Sequence, residues 1–435
     1  MKKYINSRVI IVILLVLTVF FSTVLVGCDM GGGSGSTENQ SGSASDFESS
    51  SIGDSESSEN SSSQGQSETA SESEEDKDPE FTDHVKSIQT CDQVVLDYFA
   101  AKTEQEQYDI MKRYKNTKHD SQPEVKFYVK RSDPPYLLRV ADNTEMKNAY
   151  TKVYETKQIV FGGTLIPGKT YYYEVEDSSS TVVYRGTLNV EQSPVRVITV
   201  GGGANIRDLG GYSVGNGYRV KYGLLIRGAQ LNGRNGGPKI TADGITTMRD
   251  ILGVKTELDL RNAGVDDGGQ TACVFGEDKT YLKFNFQQYD NAFKSVGNLG
   301  LIKEIFEFLA DENNYPVYFH CNAGADRTGT LTYLINGLLG VDYDTLTKDF
   351  ELTSFGGQGQ RLRSDDTGSG YGTTGVFQNN SSNYVAWGKM NQYILDNYKS
   401  ENTLSEKIEK FLIEKAGCKK SDLDKLKTIM LEQVA

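Results

Sequence analysis

Histidine and cysteine, the side chains that most often bind structural metals in proteins, are scarce in this sequence. Only three histidines and five cysteines occur in 435 residues, with no C-x-x-C pair and no H-E-x-x-H motif. These counts exclude a zinc ribbon or a histidine-rich metal centre. The cysteines are odd in number and far apart, so nothing indicates a disulfide framework.

Basic residues are also fewer than acidic ones. Lys and Arg number 46 against 59 Asp and Glu, a formal net charge of -13. Most of the excess lies between residues 31 and 80, where thirteen acidic residues accompany one lysine. Nucleic-acid binding needs clustered basic residues, so we expect no nucleic-acid partner. At about 150 residues per domain, the length predicts roughly three units.

The N-terminus has the pattern of an export signal. Three basic residues precede an apolar run from Val9 to Val26, which ends in Leu-Val-Gly-Cys28. This ending resembles the bacterial lipoprotein signal, and the resemblance implies that residues 1–28 are a signal peptide with Cys28 as the lipidated residue. The alternative is an uncleaved membrane anchor. Either places the rest of the chain outside the cytoplasm, and the first attaches it to the bacterial cell membrane.

Residues 29–80 consist mainly of Ser, Gly, Glu and Asp. Such a segment buries too little apolar surface to offset the entropy of ordering, so we predict a disordered, extended tether. Residues 81–195 begin with one or two helices and then change to apolar residues at every second position. Six short strands are predicted, at 125–129, 136–140, 152–156, 158–161, 171–175 and 182–188.

Short strands at this spacing favour an all-β sandwich. The run Leu165-Ile-Pro-Gly-Lys-Thr-Tyr171 resembles the corner of fibronectin type III domains. That resemblance implies a structural role for Tyr171, whose hydroxyl would bond to backbone upstream.

The chemistry lies in a short loop after an apolar strand. Pro316-Val-Tyr-Phe319 is followed by His-Cys-Asn-Ala-Gly-Ala-Asp-Arg-Thr-Gly329 and then by an apolar helical segment up to Leu339. A strand, a tight loop of small residues and a helix N-terminus together form an anion site, because backbone N–H groups converge there. The sequence therefore predicts a phosphoryl-binding loop.

Each side chain of this loop has a predicted task. Cys321 would be a nucleophile whose thiolate is stabilised by the loop N–H groups. Arg327 can bind two phosphoryl oxygens with its planar fork. Thr328 can donate to the thiolate, and His320 can bond backbone to hold the loop shape. The predicted phosphate-binding positions are Asn322, Ala323, Gly324, Ala325 and Thr328.

The pattern His-Cys-x5-Arg-Thr-Gly resembles the phosphate loop of the protein tyrosine phosphatase superfamily. Three upstream segments of this sequence also resemble motifs of the bacterial secreted branch of that superfamily, namely Asn205–Gly211, Leu225–Ala229 and Leu258–Arg261. The resemblance implies that residues 196–435 are an α/β catalytic domain with a central sheet flanked by helices. It also implies a phosphocysteine intermediate, with no metal and no cofactor.

The general acid is open at this level. The resemblance implies Asp326, inside the loop, whereas Asp290 lies where many relatives place a mobile acid. Arg207 and Asp208 could position substrate, although a turn at the end of a strand explains them equally well. Asp259 and Arg261 are interpreted as a buried structural pair.

Residues 355–383 are rich in Gly, Ser and Asn, and are too long for an ordinary connector. They are either a lid that supplies Arg361 and Arg363 to the substrate or a mobile insertion. The apolar residues after them have helical spacing and indicate packing helices.

The sequence thus predicts a lipid-anchored, extracytoplasmic cysteine phosphatase that acts on a phosphorylated protein or a small phosphate ester. Relatives that act on phosphoinositides or inositol phosphates tend to carry Lys within the loop, which this chain lacks, so a singly phosphorylated group such as phosphotyrosine is favoured. The alternatives are an inositol-phosphate phosphatase using the same loop and a surface binding module with a vestigial loop.

Overall fold

The computed structural model describes residues 85–114, 117–130, 132–359, 361 and 382–434. The predicted signal peptide with Cys28, the tether and Arg363 lie outside the described residues. Within the described ranges, no helix is both long enough and apolar enough to cross a membrane.

Residues 85–190 form two sheets and two helices. The five-stranded sheet has the order β1-β7-β6-β3-β4, and β2 pairs with β5 in a separate antiparallel ladder. The elements are β1 (Val85–Ile88), α1 (Gln93–Ala100), α2 (Glu104–Tyr114), β2 (Glu124–Tyr128), β3 (Tyr136–Ala141), β4 (Tyr150–Tyr154), β5 (Gln158–Gly162), β6 (Thr170–Glu176) and β7 (Val182–Val190).

The six predicted strands are present as β2 to β7, and each lies within two residues of its predicted bounds. Along β2 and β5, the side chains at every second position are apolar, and these side chains face the larger sheet. Both sheets therefore contribute to one core, which contains Val125 and Ile159 from one and Leu138, Val175 and Leu188 from the other. β1 was not predicted; it pairs in parallel with β7 at the edge of the sheet.

The helices α1 and α2 do not belong to that core. Cys91, Val95 and Tyr98 pack instead with Leu352 and Phe355, which come from the far end of the chain. The leading helices, expected to accompany the strands of residues 81–195, thus pack against the segment that follows α7.

The described residues after β7 are built on a second five-stranded sheet, of order β13-β12-β14-β11-β8, and a small antiparallel sheet, β15-β10-β9. The elements are β8 (Arg207–Asp208), β9 (Ser213–Gly215), β10 (Tyr218–Val220), β11 (Leu225–Gly228), α3 (Ala242–Thr246), β12 (Thr256–Asp259), β13 (Thr280–Lys283), α4 (Asp290–Lys294), α5 (Val296–Leu309), β14 (Val317–His320), α6 (Asp326–Leu339), α7 (Tyr343–Glu351), α8 (Ser382–Asn397), α9 (Leu404–Glu414), α10 (Lys420–Met430) and β15 (Leu431–Gln433).

β11, β12, β13 and β14 run parallel, and only the edge strand β8 is antiparallel. β14 is buried along its whole length. Its side chains alternate between two cores: Val317 and Phe319 pack on one face of the sheet and Tyr318 on the other. An apolar run such as Val-Tyr-Phe suits this position, because both faces of a parallel sheet are covered.

The predicted helices after residue 383 are confirmed as α8, α9 and α10. Trp387, Ile394, Phe411 and Leu426 are buried in the same core as α6. The carboxyl ends of β11, β12 and β14 meet at one edge of the sheet, where ligands of such folds commonly bind. The predicted phosphate loop lies at this edge, between β14 and α6.

Candidate active site

The loop from Cys321 to Ala325 is fixed by hydrogen bonds that other parts of the chain donate to its carbonyl groups. Each of three consecutive carbonyls accepts a hydrogen bond from a different part of the chain. The donors are the Gln230 N–H to Asn322 (3.0 Å), the Asn205 Nδ2 to Ala323 (2.9 Å) and the Arg227 Nη2 to Gly324 (2.7 Å).

Because these carbonyl groups are hydrogen-bonded on one side of the loop, the N–H groups of the loop are available to a ligand on the other side. In the part of the chain that the structure describes, no N–H group of residues 322–327 donates to another protein group. These donors lie at the N-terminus of α6, a helix of fourteen residues. Unpaired N–H groups at a helix N-terminus bind anions, so the arrangement is that of a phosphate cradle.

Gly324 is required by the geometry of this loop. Its φ is +68°, a region that favours glycine. A Cβ at this position would also lie 2.3 Å from the Gly228 carbonyl oxygen, on β11. The loop therefore packs against the neighbouring strand more closely than a side chain permits.

Cys321 begins the loop and is 2% exposed. Burial by itself raises the pKa of a thiol, as it does at Cys91 to about 11 and at Cys418 to about 12. At Cys321 burial and the Asp326 charge also raise the pKa, but the Arg327 charge and the nearby hydroxyl and N–H of Thr328, which favour the thiolate, outweigh them. The pKa falls below the ordinary 9.0. Among the four cysteines that the structure describes, only this one is lowered, as a nucleophile requires.

Arg327 is oriented by an acidic residue that the sequence analysis missed. Its Nη2 donates to Asp266 Oδ2 at 2.6 Å, and the same oxygen accepts from Asn322 Nδ2 at 2.9 Å. Burial lowers the pKa of Arg327, but the charges of Cys321 and Asp266 more than offset this, so the pKa is raised. The guanidinium thus stays charged beside the sulfur, with its fork fixed by the loop after β12.

Asp326 accepts hydrogen bonds from two other residues. Arg361 binds both oxygens, with Nε to Oδ1 at 2.7 Å and Nη2 to Oδ2 at 2.9 Å, and the Tyr289 hydroxyl also donates to Oδ1. All these contacts use Asp326 as an acceptor, the form in which it serves as a general base.

Tyr289 was also missed by the sequence analysis. It has a φ of 56°, which is uncommon for a residue with a side chain, and its N–H donates to Thr330 Oγ1 at 2.7 Å. Burial and the nearby Asp326 charge raise the pKa of its phenol well above 10, so it remains a donor. Backbone strain of this kind is found at functional sites.

Asp290, the alternative acid, is the first residue of α4 and forms an ion pair with Lys294 one turn further along. The structure brings its neighbour Tyr289, and not Asp290 itself, into contact with the loop aspartate.

His320 bonds backbone, as its predicted role requires, and has a partner that was not predicted. Its Nδ1 lies 3.1 Å from the Cys321 carbonyl oxygen, and its Nε2 lies 3.0 Å from Glu257 Oε1. Burial lowers the pKa of this imidazole, but the Asp259 charge and the Glu257 contact outweigh it, so the pKa is raised. Glu257 and His320 are both fully buried, on the adjacent strands β12 and β14.

The remaining predicted residues lie in the framework behind the site. Arg207 is 2% exposed and Asp208 is fully buried. Arg207 pairs with Asp349 at 2.7 Å, and Asp208 pairs with Arg196 at 2.8 Å. These ion pairs place both residues in the framework behind the loop, and their possible role in positioning substrate stays a prediction.

Asp259 and Arg261 form the expected buried pair, at 2.8 Å. Arg261 also donates to Gln230 Oε1 at 3.0 Å, and the N–H of Gln230 holds the loop carbonyl of Asn322. The pair is therefore connected to the phosphate loop through one glutamine.

Comparison with known proteins agrees with this geometry. A family model described as "Tyrosine phosphatase family" matches residues 198–432, more than half of the chain. A protein from Nostoc commune named "Tyrosine-protein phosphatase" is 28% identical over 135 residues, which cover 26% of this chain and 45% of that protein. The chain thus spans less than half the length of this curated relative.

Proposed function

Because the chain belongs to the tyrosine phosphatase family, we propose that it hydrolyses phosphomonoesters through a phosphocysteine intermediate. The observation that carries the proposal is the lowered pKa of Cys321 at the entry of a loop whose N–H groups are unpaired among the described residues. A thiolate and an anion cradle at one point are the two requirements of phosphoryl transfer to cysteine.

In the first step, the Cys321 thiolate attacks phosphorus. An S–P bond forms, the ester P–O bond breaks, and the leaving oxygen takes a proton from the Asp326 carboxyl group. Arg327 and the loop N–H groups bind the equatorial oxygens, where charge develops in the transition state.

In the second step, the Asp326 carboxylate accepts a proton from water, and the hydroxide attacks phosphorus. The S–P bond breaks, inorganic phosphate forms, and Cys321 leaves as a thiolate. Thr328 stabilises that thiolate by donating a hydrogen bond. The contacts of Asp326 with Arg361 and Tyr289 suit this step, because all of them leave the carboxylate as a base.

The substrate class that we propose is a singly phosphorylated group such as phosphotyrosine. The variable loop positions are Asn322, Ala323 and Ala325, which add no positive charge for further phosphates. An inositol phosphate is the second candidate, because Arg361 brings a guanidinium to the rim of the loop. Its charge is paired with Asp326, which favours the first candidate.

The experiment is hydrolysis of p-nitrophenyl phosphate by the full chain in a chelator, beside Cys321→Ser and Asp326→Asn. We expect turnover that Cys321→Ser abolishes. A phosphotyrosine peptide, a phosphoserine peptide, a phosphoinositide and phytate are then compared at equal concentration. Preference for phytate or the lipid, lost in Arg361→Ala, would favour the second candidate. No turnover of any substrate by folded protein would leave only a binding module.

We further propose that the protein is lipidated at Cys28 and faces the outside of the cell membrane. The support is the apolar run and its Leu-Val-Gly-Cys ending. Labelling with an alkyne fatty acid in bacteria should modify the wild type and not Cys28→Ala. No labelling of either protein, with both still in the membrane fraction, would favour the uncleaved anchor.

The strands of residues 124–190 are proposed to form a fibronectin-like accessory sandwich. Its support is the shared core of the two sheets and the Ile166 N–H, which donates to the Tyr171 hydroxyl at 3.1 Å. Tyr171→Phe should lower the thermal stability of the protein and leave kcat unchanged.

A further inference from the structure

A buried carboxylate on α7 lies between two buried arginines. Asp349 is 2% exposed, Arg207 is 2% exposed and Arg227 is fully buried. Asp349 Oδ1 accepts from Arg207 Nε at 2.7 Å, and Oδ2 accepts from Arg227 Nη1. The Tyr212 hydroxyl also donates to Oδ1, at 3.0 Å.

Both arginines also connect Asp349 to the phosphate loop through hydrogen bonds. Arg227 uses its other nitrogen, Nη2, to donate to the Gly324 carbonyl at 2.7 Å. Arg207 donates from Nη1 to Asn205 Oδ1 at 2.6 Å, and Asn205 donates from Nδ2 to the Ala323 carbonyl at 2.9 Å. Two consecutive loop carbonyls are thus held by donors that one carboxylate orients.

We propose that Asp349 is a positioning residue that holds the phosphate loop in its anion-binding form through Arg227, Arg207 and Asn205. The inference rests on the proposed function, since it concerns the same loop. Peptide planes are rigid, so a carbonyl fixed behind the loop turns the following N–H group toward the ligand. The loop requires its N–H groups on the ligand side, and Asp349 supplies the charge that keeps both donors in place.

The electrostatics of the pair support this role. Burial and the neighbouring Arg207 charge lower the pKa of Arg227 to about 10, against the opposing effect of Asp349. Without the carboxylate, two guanidinium charges would face each other in the interior with no counter-ion. Removing one partner of a buried ion pair leaves such a charge uncompensated, so the arginines would move or take in water.

The chain offers a matched control on the same helix. Glu351 is two residues further along α7, is also fully buried, and accepts a hydrogen bond from the Tyr98 hydroxyl of α1. Asp349→Asn and Glu351→Gln therefore remove equivalent buried charges, one behind the phosphate loop and one at the contact with α1. A general loss of stability should affect both variants, whereas a loss of loop geometry should affect only the first.

Each variant is tested on the full chain and normalised to the folded fraction by circular dichroism. The readouts are protection of Cys321 from iodoacetamide by inorganic phosphate and kcat/KM on p-nitrophenyl phosphate. We expect Asp349→Asn to weaken phosphate protection about tenfold, the loss of one hydrogen bond to a charged group. A loop misplaced by about 1 Å should lower kcat/KM about 100-fold. Glu351→Gln should stay within about threefold of the wild type in both readouts.

Arg227→Lys covers the case in which Asp349→Asn fails to fold. It keeps the positive charge beside Asp349 and removes the Nη2 group that donates to the Gly324 carbonyl. It should therefore weaken phosphate protection in the same way. Wild-type protection in a folded Asp349→Asn or in Arg227→Lys would overturn the inference, as would an equal loss in Glu351→Gln. If the wild type fails to hydrolyse any phosphate ester and Asp349→Asn still weakens phosphate protection, the inference stands and the proposed function falls.

Discussion

Replacing Thr328 with valine should raise the pH at which Cys321 becomes a thiolate. Thr328 is fully buried at the start of α6, and its hydroxyl has no hydrogen-bond partner among the described residues, so it can donate to the Cys321 thiolate when that forms. Its hydroxyl and N–H both lower the pKa of the sulfur. Valine has the same shape and leaves the N–H in place, so the change removes one hydroxyl donor to the thiolate and little else.

The size of the effect follows from the charge of the acceptor. A hydrogen bond to an ionised group contributes about 1.5 to 3 kcal/mol. Because about 1.4 kcal/mol corresponds to one pH unit, the midpoint of ionisation should rise by about 1 to 2 units. The charge of Arg327 remains and continues to favour the thiolate, so the variant should keep some activity at alkaline pH.

The assay is the rate of alkylation of Cys321 by iodoacetamide as a function of pH, followed by mass spectrometry. Thr332→Val is the matched control, because Thr332 is 1% exposed on the same helix. Among the described residues, its hydroxyl bonds only the Thr328 carbonyl, at 2.9 Å. The control should leave the midpoint unchanged. A Thr328→Val midpoint equal to that of the wild type, or an equal rise in both variants, would refute the assigned role of this hydroxyl.

Three further outcomes are expected. Asp326→Asn should lower kcat on phenyl phosphate about 10² to 10⁴-fold, whereas Asp290→Asn should have little effect, and the reverse result in steady-state kinetics would assign the acid to Asp290. Gly324→Ala should destabilise the protein by more than about 1 kcal/mol in urea titrations, because of its positive φ and close strand contact, and an unchanged midpoint would contradict the loop geometry. The pKa of His320 is raised in the folded protein, so protonated His320 stabilises the fold below about pH 6.5, and this stabilisation is lost as the pH rises through the folded pKa. Glu257→Gln should therefore cost more thermal stability at pH 6 than at pH 9. An equal cost at both pH values would contradict this.

The parts of the site that follow one another in the chain were accessible from the sequence. An apolar strand, a loop of small residues and a helix start are local signals, so the phosphate loop and the residues from His320 to Thr328 could be located. The six short strands were also predictable, because alternation of apolar residues is a property of each strand alone.

The residues that hold the loop were not accessible in this way. Asp266, in the loop after β12, contacts the phosphate loop directly. Glu257 on β12 contacts His320, and Asp349 on α7 contacts Arg207 and Arg227 behind the loop. Their partners are set by the order of strands in the sheet, which one sequence does not reveal. Tyr289 was missed because its neighbour Asp290 offered the simpler interpretation as an acid. The parallel pairing of β1 with β7 was missed for the same reason as the carboxylates, since it joins segments about a hundred residues apart.

The most direct test of the account is to identify the covalent intermediate. The full chain is mixed with p-nitrophenyl phosphate, quenched in acid during turnover and digested, and the phosphorylated peptide is sequenced by mass spectrometry, with Cys321→Ser treated in parallel. We predict a phosphoryl group on Cys321 of the wild type and on no residue of the variant. A phosphoryl group on another residue, or turnover by Cys321→Ser at the wild-type rate, would contradict the thiolate mechanism.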